Sequence, residues 1–286
     1  MNASSAGAIA VAIALSTVLL ATPLAAQTAT ASVDASAPST QTSSDAAQTG
    51  PSTSTTSIEF LPRSAFHMGA EHLSSSGPRY IWDANFGGDL DFVDYGVGRA
   101  MFYANYQVIL GNEFHAFDPN QGNYILGALV SARAAGNELA LVFHHESRHL
   151  SDRLKRAPVD WNMLGARVHR TATAGIVHMD ARADVRRVIL KSFVDYNWEL
   201  DADLRNLYRI APRVAWLSDV DVRVVGVDGS RDRGTQTGFR VEGGVRLEGK
   251  GAAIELFAAG ERRIDPYPLE FGTESWFTAG FRLLSR

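Results

Sequence analysis

The sequence contains no cysteine, and after Phe60 it contains no apolar run long enough for a transmembrane helix. The missing cysteines exclude disulfide bonds and thiolate metal sites. A formal net charge of -4 is too small to indicate a nucleic-acid partner. With 45% hydrophobic residues and a mean hydropathy of -0.08, the chain is also too polar for a helical membrane protein.

The N-terminal part of the chain does not resemble a folded domain. Residues 8–20 form an apolar run of signal-peptide length, so we expect residues 1–26 to be a signal peptide for export. Cleavage after Ala31 and an uncleaved anchor are alternatives, the second because no Lys or Arg precedes the run. Residues 27–58 are rich in Ser, Thr and Ala and lack aromatic residues, which predicts a disordered linker.

From residue 59 to residue 286, segment after segment alternates apolar and polar residues with a period of two. In one such segment Val177 and Val185 share a face with other apolar residues, whereas Asp180 and Arg186 share the opposite face with other charged residues. This alternation predicts β-strands with one apolar side and one charged side.

Three features favour a membrane barrel over a soluble sandwich. The segments reach the ten or so residues that a tilted membrane-spanning strand needs, and the polar face is densely charged with both signs. Aromatic residues lie near the segment ends, as in interfacial girdles: Tyr80, Phe92, Tyr106, Trp198, Trp216 and Phe281. We therefore predict an all-β fold, a transmembrane antiparallel up-and-down β-barrel of about 12 strands, with about 10 as the fallback, around a charged lumen.

Tight Gly-containing turns alternate with longer polar links, as periplasmic turns alternate with extracellular loops. This predicts a barrel in the bacterial outer membrane with both termini in the periplasm. The expected partners are outer-membrane lipid and lipopolysaccharide, and the barrel-assembly machinery during insertion. We expect a monomer, no nucleic-acid partner, no cofactor and no metal.

Charged residues on the inward face are predicted to form a lumen charge network, which would leave a narrow channel or a plugged barrel. No two of its histidines and acids have a strong metal-ligand spacing, so ion pairs are the preferred interpretation. The predicted members are His144, Glu146, His178, Asp180, Arg182, Asp184, Arg186, Glu199, Asp201, Asp203, Arg240, Glu242 and Arg246.

One segment, residues 143–152, carries a pattern of candidate catalytic residues. If Gly136 and Asn137 form the preceding hairpin loop, His145 and Ser147 point outward towards lipid. They then either mark where the strand leaves the bilayer or form a general base and nucleophile for acyl transfer. Asp160, on the outward parity of the next strand, is the candidate acid that orients the histidine.

In its strand layout and in the segment His145-x-Ser147-x-His149-Leu150-x-Asp152, the chain resembles a family of bacterial outer-membrane barrels known only as a domain of unknown function. The resemblance runs from about residue 60 to the end and includes the segments 86–88 and 265–267. Family members carry Ser at the position of Arg148 and Gly at the position of Ser151. The resemblance implies a membrane barrel and supplies no activity.

A narrower resemblance is to lipid A deacylase barrels, which similarly place a His-x-Ser pair on the outer face with an acid on the next strand. Only His145, Ser147 and Asp160 carry it, and Arg148 replaces the Asn that often follows the serine. Those enzymes also have fewer strands.

Three functional hypotheses remain open. The leading one is a non-enzymatic barrel, structural or narrowly conducting. The second is a serine-dependent lipid esterase that uses Ser147. The third is a surface-exposed binding protein that acts through its extracellular loops.

Overall fold

The computed structural model describes residues 57–151, 153–154 and 157–285. The predicted signal peptide, most of the predicted linker and Asp152 lie outside the described residues. Within the described part of the chain, no helix has the length and apolar character needed to cross a bilayer.

The described residues form twelve strands, which confirms the predicted number. The strands are β1 (Glu59–Leu73), β2 (Trp82–Asp94), β3 (Arg99–Gly111), β4 (Asp118–Ala134), β5 (Asn137–Leu150), β6 (Val159–Ala174), β7 (Val177–Ser192), β8 (Tyr196–Ala211), β9 (Val214–Val227), β10 (Gln236–Glu248), β11 (Ala252–Ile264) and β12 (Thr273–Ser285).

The sheet is a closed antiparallel barrel in which every strand pairs with its neighbours in sequence. The first and last strands close it, with His67 opposite Leu284 and Leu73 opposite Thr278. Closure leaves no sheet edge, so the strand backbones find their hydrogen-bond partners inside the barrel wall. β1 begins at Glu59, the first residue of the predicted barrel.

Burial is reversed relative to a soluble protein. On the outward face Leu141 is 75% exposed, whereas on the inward face Arg205 is 1% exposed and Glu255 is fully buried. An apolar outer surface of this extent fits a hydrocarbon surrounding, because in water it would drive association. The twelve strands therefore span a membrane.

Short and long links lie at opposite ends of the barrel. One end carries the links 95–98, 135–136, 175–176, 212–213 and 249–251. The other carries 74–81, 112–117, 151–158, 193–195, 228–235 and 265–272. We call these the short-turn end and the loop end. Alternate links differ in length as predicted, and 193–195 is the short exception at the loop end.

Most of the predicted girdle aromatics lie on the outward face, as exemplified by Phe92, which is 60% exposed. Tyr80 is a correction, since it is buried in the link between β1 and β2 and packs on Trp276 with ring centroids 5.3 Å apart. Burial raises the pKa of the Tyr80 hydroxyl to about 12. The periodicity at the start of β2 does not extend to this residue.

The β4–β5 turn corrects the predicted register. Its two loop residues are Ala135 and Gly136, with φ angles of 50° and 75°, rather than Gly136 and Asn137. Two consecutive positive φ angles are typical of the type I′ turn that matches strand twist. The left-handed conformation of Ala135 is energetically unfavourable for a residue with a Cβ atom. The register differs from the predicted one by two residues, and because side chains alternate with a period of two, every side chain keeps its predicted face.

The turn generates a test of stability. Asn accepts a positive φ more readily than Ala, so Ala135→Asn is expected to stabilise the barrel by about 1 kcal/mol. The measurement is the urea midpoint of the protein in detergent micelles. Arg213→Asn is the control, because Arg213 lies in the short turn 212–213 without a positive φ. A midpoint for Ala135→Asn no higher than that of the control would contradict this account of the turn.

Candidate functional site

β5 carries the candidate catalytic residues on its outward face near the loop end. Buried inward residues alternate with outward ones along the strand, and Leu139, Leu141 and Phe143 are exposed in the same parity as His145 and Ser147. Both candidate residues are half-buried, and His149, two residues further on, is exposed. The strand thus places three polar side chains in line on the lipid-facing wall.

His145 is held from the neighbouring strand β6. Its Nδ1 atom lies 2.9 Å from Oδ1 of Asn162, the residue directly opposite on β6. An amide oxygen can only accept a hydrogen bond, so Nδ1 of His145 carries the proton and donates it. In the neutral form of the ring, Nε2 is then the nitrogen without a proton, which is the atom that a general base uses.

Asp160 lies opposite Ser147 rather than opposite His145. The register of β5 and β6 places it one outward position away from the partner of His145. The group that contacts His145 is therefore Asn162. The outward parity of β6 already included Asn162, but only the pairing of the two strands distinguishes it from Asp160.

Ser147 contacts the second histidine of the segment. Its Oγ atom lies 3.3 Å from Nε2 of His149, and among the described residues no hydrogen bond joins it to His145. Residues two apart on a strand lie about 6.7 Å apart on one face, so the hydroxyl has a histidine on either side. Rotation about χ1 is the motion that turns it from one to the other.

A row of aromatic rings approaches the site along the outer wall. Phe86, Tyr106 and Tyr124 face one another across β2, β3 and β4, with ring centroids 5.3 Å and 4.6 Å apart. Tyr124 lies opposite Ser147 and meets His149 edge to face at 5.3 Å. The side chain of Tyr106 lies over Gly122, where a larger residue would collide with the ring. The row gives Ser147 an apolar, lipid-facing flank.

The predicted lumen residues lie on inward faces, and all of them except the half-buried His178 are buried. The Nδ1 atom of His144 lies 3.2 Å from the hydroxyl of Tyr103, and His178 contacts Thr173 at 3.0 Å. Arg186 pairs with Asp201 across β7 and β8. Most of these charges therefore sit within hydrogen-bond range of an opposite charge or a polar group.

Several ion pairs cross the lumen instead of joining adjacent strands. Arg223 of β9 lies 3.4 Å from Glu146 of β5, and Arg205 of β8 lies 2.5 Å from Glu255 of β11. Arg148, the departure from the family pattern, points inward and lies 2.9 Å from Glu146. The sequence alone did not identify Arg148, Arg223 or Glu255 as lumen residues, although all three share the inward parity of their strands.

Side chains of three links also meet at the loop end of the lumen. Arg233 of the link 228–235 lies 2.5 Å from Asp195 and 2.8 Å from Asp265, and Arg148 donates to the carbonyl oxygen of Asp265. Below them a polar cavity of about 120 Å³ remains, lined among others by Glu71 and Arg263. It has room for a few water molecules.

Among the described residues, no group of three or more His, Asp or Glu side chains is arranged to hold a metal ion. The motif residue Asp152 lies outside the described part of the chain.

No family model matches the chain. No curated protein is significantly similar to it in sequence either.

Among solved structures, the barrel is similar to the outer membrane phospholipase (OMPLA) dimer of Salmonella typhi with bound calcium. The sequence identity is 12% over 78% of this chain and 90% of that chain, with a TM-score of 0.50. It is equally similar to outer membrane phospholipase A from Escherichia coli, at 12% identity, 79% and 98% coverage and a TM-score of 0.50. At this identity the likeness shows the fold alone, which is that of a bacterial outer-membrane β-barrel.

Arg205 provides a test of the lumen network. Its guanidinium lies 2.9 Å from Asp219 and 2.5 Å from Glu255. Arg205→Ala leaves Asp219 buried without this partner, whereas Glu255 keeps Arg246 and Arg282. We expect a loss of about 3–5 kcal/mol of unfolding free energy, measured by urea unfolding in detergent micelles. Arg133→Ala, which breaks the exposed pair with Asp94, should cost about 1 kcal/mol or less. Equal losses in the two variants would contradict a lumen held by buried ion pairs.

The crossing ion pairs also predict the electrical behaviour of the barrel. Because ion pairs cross the lumen and Arg233 joins Asp195 and Asp265 at its loop end, we expect no stepwise conductance when the purified protein is inserted into a planar lipid bilayer. A porin of known conductance inserted under the same conditions is the control. Regular conductance steps from this protein would show that the lumen opens.

Proposed function

We propose that this barrel is a serine-dependent acyl hydrolase of the bacterial outer membrane, with Ser147 as nucleophile, His145 as general base and Asn162 as the residue that orients the histidine. The observation that supports the proposal most strongly is the contact between His145 Nδ1 and Asn162 Oδ1, which holds the ring of a histidine on the same outward face as the serine. The fold also accommodates such an enzyme, since phospholipases are built on it.

The site faces lipid, and this favours a lipid ester as the substrate. Ser147 lies three residues before the end of β5 at the loop end, flanked by the exposed Tyr124. We place the loop end outside the cell and both termini in the periplasm, so the substrate is a lipid of the outer leaflet. A phospholipid and the lipid A of lipopolysaccharide are the two candidate esters there.

The reaction proceeds in two steps. Ser147 Oγ attacks the ester carbonyl carbon while Nε2 of His145 accepts the hydroxyl proton, and the bond to the leaving alcohol breaks as His145 returns the proton to its oxygen. A water molecule then attacks the acyl-serine ester and gives its proton to His145. The fatty acid leaves, and Ser147 recovers its proton.

The hydrogen bond to Asn162 keeps the proton on Nδ1 of His145 through both steps. When His145 becomes an imidazolium, the Asn162 oxygen still accepts the hydrogen bond from Nδ1–H and so stabilises the charged ring. In the resting structure Ser147 contacts His149, and the reaction requires it to turn towards His145. His149 lies on the exposed side of the serine, so its removal leaves the pair of His145 and Asn162 intact.

A non-enzymatic structural barrel is the second candidate. The observation that favours it is the resting contact of Ser147 with His149, which leaves no direct hydrogen bond between nucleophile and base among the described residues. In that case the polar residues at the end of β5 mark the membrane interface.

The experiment is fatty-acid release from a diacyl phospholipid and from lipid A in mixed micelles, followed by mass spectrometry. We expect Ser147→Ala to abolish release and His145→Ala to lower its rate by about 10²–10⁴-fold. Asn162→Ala should give a smaller loss, because the base remains but is no longer oriented. Ser192→Ala is the matched control, since Ser192 lies on the same outward row, opposite Asp160.

Labelling by a fluorophosphonate, which reacts with activated serines, gives a second readout that needs no knowledge of the lipid. Labelling should depend on Ser147 and His145 and survive His149→Ala. No fatty-acid release from either lipid by the wild-type protein would overturn the proposal. If His149→Ala abolished activity and His145→Ala preserved it, the base would be misassigned.

A further inference from the structure

An arginine faces the lipid beside the candidate site. Arg187 of β7 lies opposite Leu164 of β6 and opposite Trp198 of β8. It is exposed and shares the outward parity of Val185, which is 55% exposed. The side chain therefore leaves the barrel on the same wall as His145 and Ser147.

Arg187 differs from the lumen arginines in its partners. Each of Arg205, Arg223 and Arg240 lies within 3.1 Å of a carboxylate oxygen. Among the described residues, Arg187 has no ion pair and no hydrogen bond. An unpaired guanidinium is unfavourable in hydrocarbon, so it requires an anion supplied from outside the protein or a position at the headgroup level.

The strand pairing places Arg187 close to the proposed catalytic residues. Asn162 lies two residues from Leu164 on β6, in the direction of the loop end, so Arg187 and Asn162 are diagonal neighbours about 7–8 Å apart. The long aliphatic part of an arginine lies along an apolar surface while its charged end extends to the headgroup region. Trp198 beside it is half-exposed on the outward face, as interfacial tryptophans are.

We propose that Arg187 binds the phosphate of the lipid whose ester is presented to Ser147. The proposal rests on the function proposed above and names its substrate class, a phosphate-bearing acyl lipid. A guanidinium binds a phosphate through two parallel hydrogen bonds, which would fix the headgroup on β7 while the acyl ester lies over β5 and β6. A lipid without phosphate would lack this anchor.

Binding tests the phosphate site independently of hydrolysis. In the Ser147→Ala background, fluorescent phosphatidylglycerol and, separately, fluorescent lipid A are titrated into the protein in neutral detergent micelles. Diacylglycerol of the same chain length as the phosphatidylglycerol is the phosphate-free lipid. Arg187→Gln should weaken phosphatidylglycerol binding about 10-fold or more and leave diacylglycerol binding unchanged. Arg187→Lys, which keeps the charge, should lose less.

Arg170→Gln is the matched control. Arg170 is another arginine on the outward parity, and it lies eight residues from Asn162 along β6, towards the short-turn end. At about 3.3 Å per residue it is too far from Ser147 to hold the same lipid headgroup. Its substitution should leave binding of both lipids unchanged.

The outcomes separate this proposal from the proposed function. Unchanged phosphatidylglycerol and lipid A binding in Arg187→Gln would overturn the phosphate site, even if Ser147 proved catalytic. Loss of binding in Arg187→Gln with no hydrolysis by the wild type would uphold the phosphate site and reject the hydrolase. A loss of binding confined to lipid A would identify lipid A as the lipid whose phosphate Arg187 binds. Displacement of the lipid by micromolar inorganic phosphate would indicate a free-anion site and overturn the lipid assignment.

Discussion

The rest of the structure depends on the requirement that a strand in hydrocarbon leave no backbone hydrogen-bonding group unpaired. β1 and β12 satisfy it by pairing with each other, from His67 opposite Leu284 to Leu73 opposite Thr278. Once the sheet is closed, every strand has one face towards lipid and one towards the lumen. Alternation along the chain then sorts the side chains, and outward Leu141 and inward Arg205 are two results of the same rule.

This rule explains how much the sequence could predict. The period of two predicts faces, and the faces of His145 and Ser147 are those expected from it. The register was wrong by two residues because Ala135 adopts the left-handed conformation usually left to Gly or Asn. A shift of two preserves every face, yet partner identity depends on individual positions. For this reason Asn162, rather than Asp160, meets His145.

Contacts across the lumen could not be predicted in the same way. Alternation identifies Glu146 and Arg205 as inward residues, but it does not say that Arg223 approaches the first or Glu255 the second. Those pairs depend on barrel diameter and strand stagger, which follow from all twelve strands together. Their consequence is a lumen filled by charge, in which a buried cation and two carboxylates stabilise the barrel only as a complete set.

Because charged side chains fill the lumen, we infer a functional site on the outer wall. There a polar side chain is unfavourable unless it lies at the interface or has a function, and several lie close together, among them His145, Ser147, Asn162 and Arg187. An interface position alone would account for exposed polar groups, but it would not require Asn162 to orient one particular histidine. Since these four side chains project from hydrogen-bonded strands, the closed sheet holds their spacing. In this barrel the rigid wall, rather than the pore, is therefore the part suited to chemistry.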